Sequence, residues 1–139
     1  MTMDKIIENE IGKLKISENL LGQLAERAIS VVKPDAFLSN ERGRLLDDAL
    51  SVFNASTVYA QSMILKMKND RYYFEINIIA KFGKSLNDIT SKIINQLNKD
   101  INKAFDIDLA EIKVIVRGIK SKEIAKKKIE FVEKYGIKG

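Results

Sequence analysis

Any chemistry in this chain has to be sought without histidine or cysteine, because its 139 residues contain neither. The usual ligands of zinc, haem and iron–sulfur centres are therefore missing, and so are thiol nucleophiles and triads with a histidine base. Carboxylate–metal, serine–lysine and paired-carboxylate chemistry remain open in principle. Most of the 19 Asp and Glu, however, alternate with lysine along stretches that read as solvent faces, and no concentrated pair stands out. The expectation is a protein that is not an enzyme, with no cofactor, no metal and no small-molecule substrate.

Gly83-Lys84-Ser85, between an alternating stretch and a helical one, invites comparison with a phosphate-binding loop. Such a loop needs a second glycine five residues earlier so that backbone amides can wrap the phosphates. Ile78 stands there instead, inside the alternating stretch. A strand-to-helix turn with Ser85 as N-cap accounts for all three residues.

Charge is more informative. From Arg117 to Gly139 there are eight Lys or Arg and three Glu, a net of +5 that equals the whole-chain value, so residues 1–116 balance at zero. The candidate partner-binding residues are Arg117, Lys122, Lys126, Lys127, Lys128 and Lys134. A basic amphipathic element of this kind can meet an acidic protein, rest on anionic lipid or hold nucleic-acid phosphate, or serve only solubility. Against lipid insertion, it has no Trp and its apolar residues are needed by the core.

The elements that must position these residues centre on Tyr72 to Gly118. Tyr72, Phe74, Ile76, Ile78, Ala80 and Phe82 alternate with Tyr73, Glu75, Asn77, Ile79 and Lys81, the pattern of a strand with one buried face. Leu86, Ile89, Ile93, Leu97 and Ile101 then recur at helical spacing behind the Ser85 cap. Ile112, Val114 and Val116 alternate again, so the unit reads as a strand–helix–strand crossover with parallel strands. Phe74, Ile76, Ile78, Ile89, Ile93, Leu97, Ile112 and Val114 are expected to form one buried cluster.

Upstream, Met1 to Gly12 reads as a loosely docked terminus, and Lys13 to Ile16 as a short strand. Ser17 caps a helix carrying Leu20, Leu21, Leu24, Ala25, Ala28 and Val32, which Pro34 ends. Lys33 to Asn40 reads as a loop, and Leu45, Leu46, Ala49, Leu50 and Phe53 as a shorter helix from Glu41. A strand from about Ser56 to Lys68 turns through Asn69-Asp70 into the Tyr72 strand as a hairpin. Past Gly118, Ser121 caps a last helix built on Ile124, Ala125, Ile129, Val132 and Tyr135, stopped by Gly136.

The order β-α-(α)-β-β-α-β-α predicts an α+β fold, a small mixed sheet with the main helices packed on one face. The length fits a single domain over 1–139, with a core at 11–119 and a basic C-terminal helix at 120–139. This order is also that of RNA-recognition domains, whose third strand stacks bases on exposed aromatics. Here Tyr72, Phe74 and Phe82 fall on the core face and only Tyr73 on the open one. Nucleic acid is thus expected to bind weakly or not at all. No stretch reaches the ~18 uninterrupted apolar residues of a membrane span, and the default location is cytoplasmic.

Three segments carry a resemblance to the alkaline shock protein family of Gram-positive and related bacteria. They are Gly12-Lys13-Leu14-Lys15-Ile16-Ser17-Glu18 with Leu20, Leu24 and Ala25; Ala80-Lys81-Phe82-Gly83-Lys84-Ser85-Leu86; and Ile112 to Ile119. The likeness spans roughly residues 11 to 119, as a divergent member. Pro34-Asp35-Ala36 stands where the family usually has a Gly-Val pair, and Asp106-Ile107 where it tends to place a Gly. The resemblance implies an abundant non-enzymatic protein linked to cell-envelope stress. It further implies attachment to the inner face of the membrane through a membrane-anchored protein partner, and no catalytic or cofactor residue; the expected protein also associates with itself. The alternative function is a nucleic-acid-binding module using the basic C-terminal helix.

Overall fold

The computed structural model describes residues 6–8, 15–46 and 55–136. Two short strands, β1 (Ile6–Glu8) and β2 (Lys15–Ser17), pair antiparallel ahead of helix α1 (Glu18–Ser30). The terminus expected to be loosely docked thus contributes a paired strand. Ser17 Oγ accepts from the Leu20 amide at 3.0 Å, the cap its position predicted. Leu21, Leu24, Ala25, Ala28 and Ile29 form the buried face of α1.

Beyond Pro34 the expected loop contains a strand, β3 (Ala36–Leu38), and the helix expected from Glu41 does not start there. The chain folds back instead, with Ser39 bridged to Leu45 and the Leu46 amide donating to the Leu38 carbonyl. Asn40 is the physical reason. Its Oδ1 accepts from the amides of Arg42 and Arg44, and Gly43 sits at φ +81, so a side-chain turn replaces the first helical hydrogen bonds. Ala49, Leu50 and Phe53 lie outside the described residues.

The stretch expected as one strand from Ser56 divides into a short helix, α2 (Ala55–Tyr59), a single 3₁₀ turn (Ala60–Ser62) and strand β4 (Met63–Lys68). α2 packs directly on α1 at Gly22. A methyl placed on Gly22 would overlap the Ser56 carbonyl oxygen and lie 2.8 Å from Ser56 Cα. Only glycine allows that approach.

Asn69 and Asp70, at φ 54 and 62, make the two-residue turn from β4 into β5 (Arg71–Lys81), with Lys68 opposite Arg71 and Met63 opposite Ile76. The long helix α3 (Leu86–Ala104) follows, then β6 (Leu109–Lys120), which lies parallel to β5 as the crossover required. Ser85 Oγ accepts from the Asp88 amide at 3.2 Å. All eight residues expected to cluster are buried in one core with the inner faces of α1 and α3. Arg27 further ties α1 to α3 with two hydrogen bonds to Asp100, at 2.9 and 3.2 Å.

The five-stranded mixed sheet runs β3-β5-β6-β7, with β4 on the same edge of β5 as β3. This is the predicted α+β architecture, with one correction at its end. Residues 124–134 form no helix; they are strand β7 (Ile124–Lys134), antiparallel to β6. Their apolar residues fit two periods, because Ile124, Ala125, Ile129 and Val132 read as a helical stripe while Ile129 and Phe131 alternate. The free edge of the long β6 decides between them, since its backbone groups gain a ladder from a strand and nothing from a helix.

Two residues of the expected alternating strand also sit otherwise than the alternation predicted. Ile79 is fully buried on the face away from the helices, while Phe82 is 70% exposed. Ile79 pairs with Phe37 and with Gly118, and a side chain on Gly118 would come within 3.6 Å of Ile79 Cγ1 and 2.6 Å of Ile124 Cγ2. The space that Gly118 leaves is filled by its neighbours. Phe82 lies past the end of the ladder, where Gly83 at φ +85 turns the chain toward α3.

Candidate interaction surface

The face of the sheet away from the helices carries the charge that the sequence left unplaced. Lys113 stands directly opposite Glu75 on the neighbouring strand, with their charged atoms 4.0 Å apart. Glu75 also meets Lys66 at 3.2 Å, and Lys113 meets Glu130 at 3.6 Å. The series Lys66, Glu75, Lys113, Glu130 therefore crosses β4, β5, β6 and β7 with alternating sign. Cross-strand pairs of opposite charge stabilise a sheet by a few tenths of a kcal/mol each, and these also neutralise the nearly buried Glu75.

Farther along the same face, Asn77 is fully buried and satisfied at both ends. Its Nδ2 donates to the Ser62 carbonyl at 3.1 Å, and its Oδ1 accepts from Arg117 Nε at 2.7 Å. Arg117 is thereby committed to an internal network and lies under Gly43, where an added Cβ would be 3.6 Å from its own. This candidate partner-binding residue serves the sheet.

Lys122 lies in the turn between β6 and β7, and Lys126, Lys127, Lys128 and Lys134 lie on β7; all five are exposed. Lys126, Lys127, Lys128 and Lys134 share a strand rather than the expected helix, and the β6–β7 register shifts between Lys126 and Ile129. Lys134 is six residues from Lys128, roughly 20 Å at strand spacing, and pairs in register with Glu111. The turn lysine and the Lys126–Lys128 run thus gather toward one end of the sheet, while Arg117 and Lys134 stand apart. Among the described residues none of Lys122, Lys126, Lys127 and Lys128 has an ion-pair partner. At the other end of β7, Arg71 donates to the carbonyls of Tyr135 and Gly136 at 2.7 and 3.0 Å and pairs with Asp108 at 3.1 Å, fastening the strand where Lys134 leaves it.

At the lysine-rich end the strands open into a cleft of about 420 Å³ lined by Phe37, Lys81, Phe82, Lys120, Ser121 and Lys122. The Phe82 amide donates to the Lys120 carbonyl at 2.8 Å, which holds the two turns side by side. An exposed phenylalanine forgoes about 1.5–3 kcal/mol of burial. Sequence reasoning missed this cleft because it carried the two-residue period one position too far. Gly83 was the available signal, since it marks where the strand stops and the alternation ceases to apply.

Among the described residues no three acidic side chains gather as a metal ion would require, and no helix is long and apolar enough to cross a membrane. The chain matches no curated protein and no solved structure. The family model for alkaline shock protein 23, described as having a cell envelope-related function, matches residues 6–121, most of the chain, and the protein belongs to that family.

Proposed function

We propose that this protein is a non-enzymatic interaction protein of the cell envelope. It docks at the inner face of the membrane by binding a membrane-anchored protein partner through the lysines of the β6–β7 turn and β7, and it associates with copies of itself. The observation that carries this reading is the set of exposed lysines, Lys122, Lys126, Lys127 and Lys128, without acidic partners among the described residues. Across the middle of the sheet Lys66, Glu75, Lys113 and Glu130 neutralise one another, which these lysines do not share. Family membership supplies the link to the envelope.

Changing Lys126, Lys127 and Lys128 together to Glu tests the proposal. All three side chains are exposed, so the variant folds with a melting temperature close to the parent. The expected result is loss of the protein from the membrane fraction of cells. Unchanged membrane association in a folded variant would overturn the docking role of these lysines. A nucleic-acid surface of the same lysines would show affinity falling steeply with salt, through counterion release. Duplex DNA and RNA are expected to bind weakly and to lose binding near physiological salt. Tight, salt-resistant, sequence-selective binding would reverse the order of the two readings.

A further inference from the structure

We infer that the cleft between Phe37 and Phe82 is the specificity seat of the docking surface, and that it takes an acidic peptide segment bearing one large apolar side chain. This rests on the reading above, and names both the place and the chemistry of the partner.

Three observations converge on it. The first is concavity. Phe37 of β3 and the adjoining β5–α3 and β6–β7 turns line a cleft of about 420 Å³, within the range that holds a side chain or small ligand. The second is composition. Phe37 is half-buried, Phe82 is 70% exposed, and the remaining wall is Lys81, Lys120, Ser121 and Lys122. Lysine stems add apolar wall while their ammonium groups stand at the rim. An apolar side chain flanked by carboxylates is the complement of that arrangement.

The third is charge. Lys81, Lys120 and Lys122 have no ion-pair partner among the described residues, whereas Lys84, on the far side of Phe82, is 3.8 Å from Asp35. The lysines that line the cleft are therefore the ones left available. A bilayer surface offers the same negative charge but is flat on this scale, and it leaves a recess between two rings unfilled. A peptide side chain fills it.

The test uses the full chain and two blocked peptides, Glu-Glu-Leu-Phe-Glu-Glu and its lysine counterpart Lys-Lys-Leu-Phe-Lys-Lys, followed by amide NMR. The acidic peptide is expected to shift the amides of Phe82, Ser121 and Lys122, and the basic one is not. Phe82→Ser should weaken binding by about 30-fold, the effect of losing an anchoring aromatic, and Phe82→Tyr should retain most of it. Because the Phe82 ring is mostly in water, Phe82→Ser is expected to melt like the parent, which separates lost binding from lost fold.

Absence of shifts at these amides with millimolar acidic peptide would overturn the inference. So would equal binding by Phe82→Ser, or shifts produced only by vesicles containing phosphatidylglycerol. Peptide binding that survives the change of Lys126, Lys127 and Lys128 to Glu but not Phe82→Ser supports the cleft even where the broader docking reading fails. Loss of membrane association in that triple variant with full retention in Phe82→Ser would sink the cleft and leave the broader reading standing.

Discussion

Replacing Gly22 by alanine sets two effects of known direction against each other. In an ordinary helix interior the change stabilises by about 1 kcal/mol, because glycine has more backbone freedom to lose on folding. Here the added methyl would overlap the Ser56 carbonyl oxygen and lie 2.8 Å from Ser56 Cα. Carbon atoms rest comfortably at about 3.5–4.0 Å, so α2 must retreat from α1 by roughly an ångström. The obstacle is backbone, which cannot swing aside as a side-chain tip can. Overpacking of this kind typically costs 1–3 kcal/mol or more. Moving α2 also disturbs Val58 and Tyr59, which are buried in the same core. Because the overlap is with backbone, the cost falls at the upper end of that range, and after the gain of about 1 kcal/mol a net loss of about 2 kcal/mol is expected. Urea unfolding followed by circular dichroism measures it, with Ser91→Ala on the exposed side of α3 as a control for propensity alone. A Gly22→Ala protein more stable than the parent would refute the close approach of α1 and α2.

Two further outcomes follow from buried polar groups. Asn77→Ala removes the donor to the Ser62 carbonyl and the acceptor for Arg117, and leaves a void at a fully buried site. A loss of roughly 2–4 kcal/mol in chemical denaturation is expected, and a change below half that would show that water replaces the side chain without penalty. Burial pushes the Asp100 carboxyl up, but hydrogen bonds from Arg27 and Gln96 together with the Arg27 charge hold it below the usual carboxylate range. The unfolded chain therefore binds this proton more readily. The group contributes stability above pH about 4, and that contribution is lost as pH falls through the folded-state value. Denaturation midpoints of the parent and Asp100→Asn should differ at pH 7 and converge on acidification; a constant gap would exclude the linkage.

The legible parts of the fold were those where one local rule met no competitor. The α3 stripe of Ile89, Ile93, Leu97 and Ile101 faces the core, and the Ser17 and Ser85 caps are made by the hydroxyls their positions suggested. The Asn69-Asp70 turn likewise has the left-handed geometry that these two residues tolerate. Illegible parts depended on distant partners. Ile79 is buried because β3 and Gly118 flank it, and neither neighbour lies near it in the chain. Residues 124–134 are a strand because β6 offers an edge, although their spacing suits a helix as well. The Asn40 side chain outcompetes the helical bonds expected after Glu41, a contest that apolar periodicity does not register. The candidate site was half legible for the same reason. Composition located the lysine excess, but which lysines stand together depended on the element that carries them.

The alternating ladder of Lys66, Glu75, Lys113 and Glu130 has a consequence for how this molecule meets others. Two positive and two negative charges in close series cancel beyond about one screening length, so the broad face of the sheet casts little field into solution. Lys120, Lys122, Lys126, Lys127 and Lys128 have no ion-pair partner among the described residues, which makes the molecule electrically lopsided. An approaching negatively charged body exerts a torque on a lopsided charge distribution and turns that end toward itself before contact. Orientation is then settled during diffusion, and productive encounters become more frequent without any gain in the final contact energy. Raising the salt concentration should therefore slow capture more than it hastens release.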